Sequence, residues 1–224
     1  MADKTETIVD LKKADSSKAS EDPTDDYSIH KKIIILEIVS ILFAVSSCVF
    51  NGFLWFNESN TTALAVLTDG FLNTITYSFV IWCYFRKRHI HSKLRDQTSQ
   101  IMISIIFLVS STLIKFIAMK NILFKFQLNW NINYIFINLG QSLIFSVLSI
   151  FKFFLSTKFK YSSTLHASGV NAFMSGLSSF SIALSMIFLM FGSKIWYFDS
   201  LIGIFISFIL NIYGSILLMS NFCK

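Results

Sequence analysis

The sequence predicts an all-α membrane protein, a bundle of six membrane-crossing helices. Three observations carry that prediction. Hydrophobic residues make up 54% of the chain, with 25 Phe, a single Pro and a mean hydropathy of +0.61. A soluble domain of 224 residues would leave far too much of that surface in water. The apolar residues also gather in runs long enough to cross a bilayer, while most charges fall between the runs.

Scanning for runs of about 20 residues gives six spans, at about 33–55, 62–85, 101–123, 133–155, 164–191 and 198–219. Residues 1–32 read as a disordered cytosolic tail, charged and rich in Ser and Thr. No cleavable signal peptide is expected, because the first apolar run is too long for one and would serve as an uncleaved anchor. A short cytosolic C-terminus, 220–224, is expected after the last span, with no soluble C-terminal domain. The short connections make consecutive helices antiparallel.

Charge orients the bundle. The tail holds eight of the 13 acids against six lysines, so the remainder carries 13 basic residues against five acids. That excess flanks the spans and speaks to topology; a nucleic-acid surface would need it on a soluble face. The loop after the second span, Arg86-Lys87-Arg88-His89-Ile90-His91-Ser92-Lys93-Leu94-Arg95, is strongly basic, and Lys158 and Lys160 follow the fourth. The opposite loops are nearly free of cations, so both termini are expected in the cytosol. Two glycosylation acceptor patterns, at Asn57 and Asn60, fall on the lumenal side, close to the membrane. Three cysteines (Cys48, Cys83 and Cys223) show no CxxC spacing and form no disulfide framework.

Polar residues within the spans recur on single faces. The first span carries Glu37, Ser40, Ala44, Ser47 and Asn51 at spacings of three and four; the fifth carries Ser168, Asn171, Ser175, Ser178 and Ser185. The second offers Asp69, Asn73 and Thr76. A carboxylate at membrane depth costs about 2.5–3.5 kcal/mol on insertion scales, so such groups pair, face a cavity or line an ion path. At about 1.5 Å per residue, Asp69 lies roughly 10 Å from the lumenal end. Ser175 reaches the same level, and Asn73 and Asn171 meet near the midplane.

Two readings of Asp69 stand side by side. It is an ion-pathway residue shared between the second and fifth helices, or it pairs with Lys115, which lies at similar depth in the third span. Glu37 reads as an interfacial charge beside Lys32. His89 and His91 read as part of a solvated loop, and His166 as an interfacial residue at the start of the fifth span. Ser168, Ala172 and Gly176 form a small-residue row suited to close helix packing, and Asp199 suits the start of the sixth helix. No paired acids, His/Glu zinc motif or Ser–His arrangement lies in a span, so an intramembrane enzyme finds no support.

The order and spacing of several segments resemble a known family. They are Thr68-Asp69-Gly70-Phe71-Leu72-Asn73, Ile106-Phe107-Leu108-Val109-Ser110-Ser111 and Ser149-Ile150-Phe151-Lys152-Phe153, then Ser168 through Ser185, then Trp196-Tyr197-Phe198-Asp199-Ser200-Leu201-Ile202-Gly203. Together they resemble the transmembrane protein 163 family of the cation diffusion facilitator superfamily, over nearly the whole chain beyond the tail. The resemblance implies a six-helix bundle of cation diffusion facilitator type. It implies a homodimer that moves Zn²⁺ out of the cytosol, into endosomal, lysosomal or secretory (including synaptic) vesicles or out of the cell.

Carried over by position, the metal site falls on Asp69, Asn73, Asn171 and Ser175, with Ser168 and His166 as further candidates. Only Asp69 is a carboxylate, where the mainstream superfamily has acids or His. Zinc favours imidazole, thiolate and carboxylate donors; amide and hydroxyl oxygens make a weaker, harder site. The alternative is therefore a non-transporting homologue that binds and modulates other membrane channels or transporters.

Overall fold

The computed structural model describes residues 23–58, 61–85, 92–124, 132–158, 163–191 and 197–222. The chain divides into two units, Met1–Lys32, of which the described part is the start of the first helix, and Ile33–Lys224. Among the described residues there are six α-helices and no strand: α1 (Pro23–Glu58), α2 (Thr61–Phe85), α3 (Ser92–Leu123), α4 (Ile132–Lys158), α5 (Ser163–Met190) and α6 (Phe198–Phe222). Pro23 suits the first turn of α1, where its missing N–H costs nothing. The helix thus starts ahead of the apolar run that opens at 33. Residues 1–22 of the expected tail, the His89 and His91 loop, Ser59 and Asn60 of the sequons, and Cys223 lie outside the described residues.

Among the described residues, five stretches are long and apolar enough to cross a membrane: His30–Phe53, Arg95–Leu123, Ile132–Lys158, Ser163–Met190 and Phe198–Asn221. The second expected span forms the helix α2, of 25 residues. It carries Asp69, Asn73 and the threonines at 68, 74 and 76. Those residues have a packing reason, because Asn73 and Thr76 are fully buried among the other helices.

Close approaches fix the topology. On α1 and α2, the Cα of Gly70 comes so near Cys48 and Ala44 that a Cβ there would lie 2.7 Å from the Cys48 sulfur. Gly176 of α5 sits against the Ser142 carbonyl and Phe145 of α4, and Gly169 against Phe153 and Lys152. On α3 and α6, Gly214 meets Phe107 and Ser104, and Gly203 faces Ala118. In each pair, rising numbers on one helix meet falling numbers on the other. All three pairs are antiparallel.

The distribution of polarity is inside out. On α4, Asn138, Ser142, Ser149 and Lys152 are buried, whereas Phe136, Leu143 and Ile150, seven apart, are exposed by 67% or more. The stripes expected on α1 and α5 likewise turn inward: Glu37, Ser40, Ala44, Ser47 and Asn51 are buried, as are Ser168, Asn171, Ser175 and Ser185, with Ser178 half-buried. A water-soluble fold would reverse this arrangement; a bilayer favours it, since the outer face meets lipid.

Small residues let α4 and α5 pack backbone to backbone. Gly176→Leu would drive four carbons into the Ser142 carbonyl and Phe145. The expected cost is about 1–3 kcal/mol of overpacking, read as a lowered unfolding temperature in micelles. Gly140, with nothing within 4 Å of its Cβ position, is the control, and Gly140→Leu should stay close to wild type.

Candidate functional site

Two polar clusters lie one above the other inside the bundle. The first joins α2 to α5. Asn73 and Asn171 sit on facing sides of these antiparallel helices, and Asn171 Nδ2 donates to Asn73 Oδ1 at 2.5 Å. The Asn73 amide then donates to Asp69 Oδ2 at 3.1 Å and to Ser175 Oγ at 2.8 Å. Ser175 donates in turn to the Asn171 carbonyl at 3.1 Å. The i, i+4 spacing of Asp69 and Asn73, and of Asn171 and Ser175, puts each pair on one helix face. The four residues expected at the site therefore meet as one hydrogen-bonded cluster.

Asp69 is half-buried, while Asn73, Asn171 and Ser175 are buried. Among the described residues no group of three or more His, Cys, Asp or Glu side chains comes together. A cation at Asp69 would be met by one carboxylate, two amide oxygens and a hydroxyl. That donor set is hard and carries a single charge. It suits oxygen-preferring or transiently held cations better than tight zinc binding.

The Asp69–Lys115 ion pair does not form. Lys115 is exposed on α3, and its Nζ lies 5.0 Å from the centroid of the Phe208 ring on α6. The depth estimate was sound, but α3 packs chiefly on α6, so Lys115 covers its neighbour's ring instead of reaching α2.

The second cluster has a lysine at its centre. Glu37, read from the sequence as an interfacial charge, is fully buried. Its Oε2 accepts from Lys152 Nζ of α4 at 2.9 Å, and both side chains are completely enclosed. Lys152 Nζ donates also to Ser168 Oγ at 2.8 Å, and Ser168 donates to Glu37 Oε1 at 2.9 Å. The ammonium lies 3.6 Å from the centroid of the Tyr77 ring. A desolvated contact of that kind contributes about 2 kcal/mol. Ser168 therefore serves this cluster and not the one around Asp69.

Sequence reasoning missed Lys152 and Tyr77. A signal was present: Lys152 lies within the fourth apolar span, and an ionisable residue there requires a partner. Glu37 stands at matching depth on α1. A long cation near a helix end can ordinarily snorkel outward, so its position alone does not reveal such a pair.

The remaining candidates are peripheral. His166 is exposed, and its Nδ1 lies 3.0 Å from the Tyr213 hydroxyl of α6. It lines an open groove of about 320 Å³ with Ser156, Ser163 and Ser220. Asp199, in the first turn of α6, accepts from Ser181 of α5 at 3.1 Å. Towards the other end of the bundle, the Tyr134 hydroxyl donates to Asn51 Oδ1 at 3.2 Å and ties α4 to α1.

No family model matches the chain. Among curated proteins, it is 30% identical over 151 residues to transmembrane protein 163 of Xenopus laevis. The match takes in 67% of this chain and 53% of that protein. The chain thus spans about half the length of the curated relative it matches. Inward-facing polar stripes, long apolar helices and this relative agree: the chain is an all-α, multi-pass membrane protein similar to transmembrane protein 163.

Proposed function

We propose that the chain is a divalent-cation transporter with Zn²⁺ as its substrate, built as a six-helix bundle of cation diffusion facilitator type. The observation that carries this reading is the convergence of Asp69, Asn73, Asn171 and Ser175 on one cluster between α2 and α5. In this reading Asp69 supplies the charge, and rotation of the two amides turns their oxygens towards the ion. Weak neutral ligands favour release, which a carrier needs as much as binding. With the basic loops in the cytosol, the ion moves from the cytosol to the lumen or exterior by alternating access. The site lies in vesicular, endosomal or plasma membranes, and the protein works as a homodimer.

A second reading is favoured by one observation: the amides satisfy each other and Asp69 without any ion. Such a closed network is also what a non-transporting homologue would use to hold α2 on α5, leaving its exposed apolar faces to bind other channels or transporters. Reconstitution separates the two. Purified protein is placed in liposomes loaded with a zinc-sensitive dye, with and without a proton gradient. Zinc influx above that of empty liposomes supports the transporter; influx equal to empty liposomes under both conditions excludes it.

A further inference from the structure

The groove beside His166 combines hydrogen-bond donors with a side that opens onto lipid. Three hydroxyls reach it from the ends of three helices. Ser156 stands in the last turn of α4, Ser163 is the first residue of α5, and Ser220 lies in the last turn of α6. Further in, the Tyr213 hydroxyl lies 3.0 Å from His166 Nδ1. With the tyrosine donating, the imidazole keeps its hydrogen on Nε2 and offers a fourth donor. The Ser220 hydroxyl donates to the Leu217 carbonyl at 2.9 Å, and rotation about one bond redirects it. Among the described residues no acid lines this groove. Asp96, an acid of α3 at the same end, accepts instead from the buried Thr164 hydroxyl of α5. The nearby formal charges are positive: Lys158 ends α4 two residues after Ser156, and Lys160 follows in the sequence. The rest of the lining is apolar. Ile216 belongs to an exposed stripe of α6 with Ile212 and Met219, and that stripe faces the bilayer. A groove continuous with a lipid-facing surface is filled by lipid.

We propose that this groove binds the headgroup of an anionic phospholipid, whose acyl chains run along the exposed stripe of α6. At about 320 Å³ it has the size of a small ligand site, enough for a headgroup and not for a whole lipid. The serine hydroxyls and His166 donate to the phosphate oxygens, and bonds to a charged acceptor are the stronger kind. Lys158 and Lys160 do not line the groove; they favour a negatively charged lipid at this end over a zwitterionic one. With the basic loops in the cytosol, the groove meets the leaflet that carries anionic lipid. A lipid seated there touches α4, α5 and α6 together. The inference is independent of any ion the protein carries.

Native mass spectrometry of the full-length chain released from micelles tests this. Phosphatidylserine and phosphatidylcholine with identical acyl chains are supplied at equal concentration. One phosphatidylserine per chain is expected to stay bound, retained about tenfold over phosphatidylcholine, the worth of one charge-assisted hydrogen bond. His166→Leu removes the imidazole donor, and Ser220→Trp fills the groove from an exposed position. Each is expected to bring phosphatidylserine down to the level of phosphatidylcholine, with the unfolding temperature unchanged. Should the leucine variant not fold, the tryptophan variant decides. Glycerophosphoserine, the same headgroup without chains, is expected not to displace the lipid at equal concentration. Equal retention of the two lipids overturns the proposal, and so does a preference that survives in a folded Ser220→Trp protein. Displacement by the chainless headgroup would make the ligand a soluble phosphate and overturns the lipid assignment.

Discussion

Glu37→Met destabilises the bundle by about 3–5 kcal/mol, because it strands the enclosed Lys152 ammonium without its counter-ion. The glutamate and the lysine are both completely enclosed, and they are held by each other, by Ser168 and by the Tyr77 ring. Neither partner can reach solvent when the other is removed. The double variant Glu37→Met/Lys152→Met removes both charges and fills the same space with unbranched apolar side chains. It is expected to recover most of the loss, since replacing a buried pair by packed apolar groups is often neutral or stabilising. Denaturant unfolding of the two single variants and the double variant, analysed as a cycle, measures the coupling. Additive losses, or a Glu37→Met cost well under about 1 kcal/mol, would mean that the pair is not closed as described.

Asp69→Ala is expected to reduce zinc uptake to the level of protein-free liposomes. Asp69 carries the only formal charge among the four residues of its cluster. Without it, an arriving divalent cation exchanges its hydration shell for neutral oxygens alone. Even a loss of about 1.4 kcal/mol at the barrier slows transit tenfold, and desolvating an uncompensated cation costs more than that. Asp69→Asn sharpens the comparison, because its carbonyl oxygen still accepts from the Asn73 amide. Its unfolding midpoint should remain at or above that of wild type while uptake falls equally far. If both variants transport normally, Asp69 has no part in the pathway.

Much of this architecture was legible in the residues. Apolar runs located the helices, and three- and four-residue spacings located their inward faces. Depth counting along oppositely running helices brought Asn73 level with Asn171 and Asp69 level with Ser175. These inferences succeed because a helix fixes rise and direction from sequence alone. Helix neighbours are not fixed that way. Lys115 has the right depth to meet Asp69, but α3 turns it onto Phe208 of α6. Glu37 and Lys152 are 115 residues apart, and each alone resembles an interfacial charge. Only the packing of α1 against α4 makes them partners.

The proposed oxygen-only cation site founded on Asp69 can be read from the zinc K-edge absorption spectrum of the zinc-loaded protein. The site described predicts a first shell of light atoms at about 2.0–2.2 Å with no sulfur, lost in Asp69→Asn. Cys48 lies close to α2, its thiol donating to the Leu67 carbonyl at 3.4 Å, so a thiolate ligand is the alternative to be distinguished. A sulfur shell at about 2.3 Å, or a light-atom shell unchanged by Asp69→Asn, would rule out a site founded on Asp69.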